Sequence, residues 1–193
     1  MARFCRDKST SSRVRAQMAS ESGFDRELWQ QLCGELGMSG VHVPEALGGQ
    51  GYGAVELGLA MEEMGRVMFC GPYFSSSVLA TYALLNGATP RQQAEWLPQL
   101  CAGSVIARLA LAEPGGSWDP GAVTATAVEH SGQWRIDGVK SYVLDGHVAD
   151  LFSVAARAPG STGLEGLSRF AVPATASGLG VKALKTLDPT RRM

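Results

Sequence analysis

Leu109-Ala110-Leu111-Ala112-Glu113-Pro114-Gly115-Gly116-Ser117-Trp118-Asp119 is the stretch on which the reading of this chain turns. It ends an apolar run over residues 105–112, broken only by Arg108, and so reads as a buried strand. Pro114 and the two glycines stop that strand abruptly. Proline has no N–H to give a ladder, and glycine adopts backbone geometry that other residues resist. A ligand can approach the backbone closely just past such a strand end.

The polarity of the chain changes on either side of this stretch. Upstream, the apolar period is helical. Residues 24–37 carry Leu28, Leu32 and Leu36 at four-residue spacing, with Asp25 placed to cap the start and Gly37 the end. Residues 38–53 hold Pro44, Gly48, Gly49, Gly51 and Gly53 and read as a connecting loop. Residues 54–68 form a second helix, with Leu57, Ala60, Met61, Met64, Val67 and Met68 on one face and Glu56, Glu62, Glu63 and Arg66 on the other. The methionines on that face read as core packing. Pro72 opens a third helix that Gly87 closes. Thr89-Pro90-Arg91-Gln92 is a capping box for a fourth, whose apolar residues are Trp96, Leu97 and Leu100.

Downstream of Gly103 the period shortens. Residues 123–128 alternate as a half-exposed strand. Residues 134–137 and 139–144 flank Asp137-Gly138, a pair suited to a hairpin turn, and residues 151–157, 167–172 and 181–184 are further strands. A helical unit followed by short antiparallel strands is an α+β fold, divided into residues 1–103 and 104–193.

Composition excludes several function classes. With 17 Lys+Arg against 18 Asp+Glu, the net charge of -1 leaves no footprint for nucleic acid or an anionic membrane surface. No apolar run approaches the roughly 20 residues of a membrane span. Cys5, Cys33, Cys70 and Cys101 are far apart and read as buried free thiols in a reducing cytoplasm. His42, His130 and His147 fit no metal-ligand spacing and read as solvated or locally hydrogen-bonded. Arg3, Arg6, Lys8, Arg13 and Arg15 give the first residues the composition of a transit peptide, but without an amphipathic pattern before Val14 they read as a frayed start.

Taken in order, the motifs resemble the acyl-CoA dehydrogenase family. The resemblance rests on Phe24-Asp25-Arg26-Glu27-Leu28-Trp29 with Leu36-Gly37, Val43-Pro44-Glu45, Gly48-Gly49-Gln50-Gly51, and Glu62-Glu63-Met64-Gly65-Arg66. It continues through Trp96-Leu97-Pro98, Glu113-Pro114-Gly115, Asp137-Gly138-Val139-Lys140 and Asp145-Gly146, and covers almost the whole chain from Arg13. It implies an N-terminal all-helical domain and most of an antiparallel β-barrel-like or sandwich domain. The C-terminal four-helix domain of the family has no counterpart in these residues, so a truncated member is expected.

The implied chemistry is α,β-dehydrogenation of an acyl-CoA thioester. A glutamate takes the α-proton and a hydride passes to FAD. In most of the family that glutamate lies in the C-terminal domain, so no catalytic residue is expected here, and Glu113 reads as structural. The cofactor-facing positions implied by the resemblance are Leu109, Leu111, Ala112, Trp118, Tyr142, Val143 and Leu144, with Trp118 also toward the acyl-CoA. Here the chain departs from the family pattern. Ala112 and Leu144 stand where the family has threonine, and Trp118 where it has serine, so three hydroxyls are missing; Leu109 replaces an aromatic residue and Tyr142 a tryptophan. Each lost polar contact weakens cofactor binding by about 0.5–1.5 kcal/mol. The expectations that follow are a flavin-dependent enzyme of lipid or sterol side-chain catabolism, a non-catalytic subunit of a heteromer, or a non-enzymatic remnant. The implied partners are an acyl-CoA, an electron-transfer protein and further subunits.

Overall fold

The computed structural model describes residues 1–193. Its first hundred residues are helical: α1 (Ala2–Lys8), α2 (Ser11–Ala19), α3 (Arg26–Gln30), α4 (Ala54–Arg66), α5 (Thr81–Gly87) and α6 (Pro90–Cys101). The predicted caps form. Asp25 accepts from the amides of Glu27 and Leu28, Gly37 turns left-handed at φ 64°, and Thr89 and Gln92 close their capping box at the start of α6. Two stretches widen into π-helix, Gln31–Glu35 after α3 and Tyr73–Ala80 before α5. Trp29, Leu32, Cys33, Leu57, Ala60, Met64, Phe69, Tyr73 and Ile106 form one buried cluster. Met68 does not join it: at φ 50° it sits past the end of α4 and is exposed.

The N-terminus is ordered rather than frayed. Of the basic residues expected to fray it, Arg3, Arg6 and Lys8 lie in α1 and Arg13 and Arg15 in α2; the outer face of α1 carries Arg3 and Arg6 against Asp7, while Cys5 on the inner face is 1% exposed. Burial of an apolar contact supplies what the weak helical pattern did not reveal.

Five strands follow: β1 (Ala107–Ala110), β2 (Thr126–His130), β3 (Gln133–Asp137), β4 (Leu151–Arg157) and β5 (Leu167–Pro173). The sheet is mixed rather than purely antiparallel. β4 is its centre, antiparallel to β5 from Leu151↔Pro173 to Arg157↔Leu167 and parallel to β1 from Ala107↔Leu151 to Ala110↔Val154. β1 leaves that edge at Ala110. β2 then takes it over, through Thr126↔Arg157 and a 2.9 Å bond from the Arg157 amide to the Ala125 carbonyl. Cover on both faces explains why β4 is a nearly continuous apolar run.

Two strand expectations are corrected. The hairpin turn lies at Ser131-Gly132, both at positive φ (51° and 76°), not at Asp137-Gly138. Gly138 instead passes over Ala125, just before β2: at φ 155°, a Cβ there would lie 2.5 Å from Ala125 Cβ. Residues 139–144 therefore leave the sheet and form no strand. Residues 181–184 also form none, and Val181 and Leu184 are exposed. The tail turns back on the helical layer, where Arg191 Nη1 donates to the Phe69 carbonyl (3.0 Å) and Arg192 Nη2 to those of Met18 (3.0 Å) and Ser20 (2.5 Å). No helix is long and apolar enough to cross a membrane.

Candidate functional site

Where β1 leaves the sheet, it meets the segment that follows β3. The Ser141 amide donates to the Ala112 carbonyl at 2.8 Å, and Tyr142 lies against the bend, its Cε2 3.7 Å from where a Cβ of Gly116 would be. Leu109, Leu111 and Ala112 are thus brought beside Tyr142, Val143 and Leu144. The amide N–H groups of Ala112, Val143 and Leu144 make no hydrogen bond within the chain, although Ala112 is buried. Buried backbone donors are nearly always paired, so this is a surface with capacity left for a ligand. Trp118 and Tyr142 are 56% and 44% exposed, and the bend is open rather than packed against its own helices. Tyr142 and Asp145 hold left-handed backbone, φ 57° and 53°; aspartate visits this region readily, but for the bulky Tyr142 it is a strain tolerated only when its surroundings impose it.

Glu113 is spoken for. Its carboxylate accepts from Lys140 Nζ (2.8 Å), from the Thr124 hydroxyl (2.5 Å) and from the amides of Thr124 and Ala125 (both 2.9 Å). Burial pushes its pKa up, but these four donors outweigh burial and hold it at about 2. A carboxylate so stabilised is no base near neutral pH, which agrees with its structural reading.

One wholly buried charge at this junction has a role that the sequence did not reveal. Arg108 is wholly buried, with Nε on the Asp145 carbonyl (3.0 Å), Nη1 on the Ala107 carbonyl (2.8 Å) and Nη2 unpaired. Burial pushes its pKa down to about 10 against the opposing pull of Asp145 and Asp150. Asp145 in turn accepts from Ser75 of the π-helical stretch at 2.5 Å. His42, expected to be solvated or bonded, is buried against Tyr82 with neither ring nitrogen paired, and burial lowers its pKa. All four cysteines are free and buried, and burial raises the thiols of Cys33 and Cys101 to about 12 and about 11. A shallow groove between α5 and the β4–β5 pair, lined by Leu84, Gly87, Phe152, Arg169 and Phe170, includes none of the residues implied by the resemblance.

A helical layer leading into a mixed sheet is an architecture shared with solved proteins. The Tcur3481-Tcur3483 steroid ACAD G363A variant matches with TM-score 0.85 and 33% identity over 99% of this chain and 50% of its own. The ChsE4-ChsE5 complex from Mycobacterium tuberculosis matches with TM-score 0.81 and 30% identity, over 95% and 47%. Family models described as acyl-CoA dehydrogenase, N-terminal domain, and acyl-CoA dehydrogenase, middle domain, match residues 1–104 and 108–193. The chain belongs to the acyl-CoA dehydrogenase family. Among curated relatives, acyl-CoA dehydrogenase IpdE2 of Mycobacterium tuberculosis is 33% identical over 93% of this chain, which spans 43% of that protein's length.

Proposed function

We infer that this chain supplies one wall of a flavin and acyl-CoA cleft, in a protein that performs or assists α,β-dehydrogenation of an acyl-CoA thioester. The observation carrying this reading is the pairing of residues 109–112 with 141–144, which leaves the amides of Ala112, Val143 and Leu144 free beside an open bend. A flavin ring has a heteroatom edge that accepts from such donors, so the residues fit FAD through backbone rather than through hydroxyls. When bound, FAD would supply the hydride acceptor of the dehydrogenation. Tyr142 and Trp118 offer aromatic faces for a planar ring or the thioester portion of the substrate. Leu109, Leu111, Val143 and Leu144 offer apolar contact. Glu113, committed to Lys140, Thr124 and Ala125, is not available as the α-proton base.

We assign residues 1–103 to a helical domain and 104–193 to the sheet domain, and place the protein in the cytoplasm. The likeness to a steroid ACAD favours a sterol side-chain thioester over a simple fatty one as substrate. An electron-transfer protein would reoxidise the flavin. A second reading, a non-catalytic subunit of a heteromer, draws on the hydroxyls missing at Ala112, Trp118 and Leu144, and on relatives that are themselves complexes of two different subunits. Co-purification decides between the two. Flavin absorbance in this chain alone supports the enzyme reading; absorbance only after mixing with a homologous subunit supports the heteromer. Absence of flavin and of acyl-CoA binding in both preparations overturns both and leaves a remnant.

A further inference from the structure

The two segments at the candidate site share no ladder. Residues 139–144 form no strand, so the distance between them and residues 109–112 is set by a few cross-links. One end is held by Arg108 Nε on the Asp145 carbonyl and the middle by the Ser141 amide on the Ala112 carbonyl. At the other end, Lys140 Nζ donates both to the Leu111 carbonyl (3.1 Å) and to Glu113 (2.8 Å).

That last end is a node where three chain segments meet. β1 has just left the edge of β4, and β2 has not yet replaced it. Glu113 fills the gap by taking the amides of Thr124 and Ala125, the residues that lead into β2. Gly138, which follows β3, rests on Ala125 so closely that no side chain fits. Lys140, two residues on, returns to Glu113. The Lys140 and Glu113 side chains are 9% and 14% exposed, so this pair is far less screened than a surface salt bridge.

We propose that Glu113 and Lys140 are a positioning pair, fixing the spacing between the two ligand-facing segments on which the flavin reading rests. Neither touches the ligand itself. Their effect is to hold the free amides of Ala112, Val143 and Leu144 at one separation, so that a rigid ring meets all of them at once.

The test uses the full chain and its K140M, K140R and E113Q variants, with hydrogen–deuterium exchange read at the Ser141 amide and in α6. The proposal expects exchange at Ser141 to speed by about tenfold in K140M and E113Q, to return toward wild type in K140R, and to stay unchanged in α6. Unaltered Ser141 exchange in both K140M and E113Q overturns it; should K140M fail to fold, E113Q decides alone. FAD titration, followed by flavin fluorescence with or without the homologous subunit, supplies a second readout. The dissociation constant should rise about tenfold or more in K140M and recover in K140R. If Ser141 loosens while FAD affinity is the same in all variants, the pair does not position a ligand site and the proposal fails. If wild type binds no FAD in either preparation, the flavin reading fails, and the Ser141 result still decides whether the pair sets the spacing.

Discussion

Glu113 links the chemistry of a single side chain to the stability of the whole. Its pKa near 2 in the folded state lies below the ordinary value of 4.5. The folded state therefore holds on to the ionised form. The stability this contributes is complete above about pH 4.5 and is lost as pH falls toward 2, amounting to at most about 3 kcal/mol. Urea denaturation between these limits should show that loss in wild type and a flatter profile in E113Q. Arg108 makes the opposite kind of contribution. Its guanidinium is buried without a carboxylate at bonding distance, serving instead two carbonyls. R108A should cost about 3 kcal/mol, leaving a cavity and two unpaired acceptors, whereas R108M should cost roughly half as much because it fills the space. Tyr142 holds left-handed backbone that glycine adopts freely. Y142G should leave urea stability unchanged or raise it by up to about 1 kcal/mol while weakening FAD binding, a divergence that a purely structural tyrosine would not produce.

Among the elements, those defined by local chemistry were legible beforehand. Asp25, Thr89 and Gln92 cap their helices through side-chain bonds spanning three residues, and no tertiary contact is needed to see them. β4 was legible as well, because cover on both faces leaves an apolar run. What could not be read locally depended on distant partners. Asp137-Gly138 has the composition of a hairpin turn, yet its glycine is needed for close passage over Ala125, and the turn falls at Ser131-Gly132. The helicity of α1 comes from burial of Cys5, which the flanking arginines disguise. The site followed the same division. The two segments of the candidate site are marked by their motifs, but Arg108 and Lys140, which hold them together, act through contacts more than 25 residues apart. G138A should therefore be among the most damaging single-atom-scale changes, costing more than about 2 kcal/mol, because its Cβ has only Ala125 backbone and Cβ to displace. Thermal or urea denaturation measures it, with G132A as the milder comparison, since nothing lies within 4 Å of a Cβ there.

For the molecule as a whole, exposed apolar residues are spread over both layers: Val55, Leu59 and Met68 in and just past α4, Trp118, Val139 and Tyr142 around the candidate site, and Val181, Leu184 and Leu187 along the tail. Exposed apolar surface of this kind favours association. The chain should self-associate or bind a homologous subunit at micromolar concentration, and sedimentation velocity that finds a monomer throughout would contradict this. The contacts of Arg191 and Arg192 carry a different consequence. They fasten residues at one extreme of the sequence to carbonyls at positions 18, 20 and 69, so the helical and sheet layers cannot melt independently without breaking them. Calorimetry should accordingly record one endotherm, and replacing both arginines with alanine should lower its midpoint without splitting it, because Ile106, Ala107 and Leu151 share buried clusters with the helical residues.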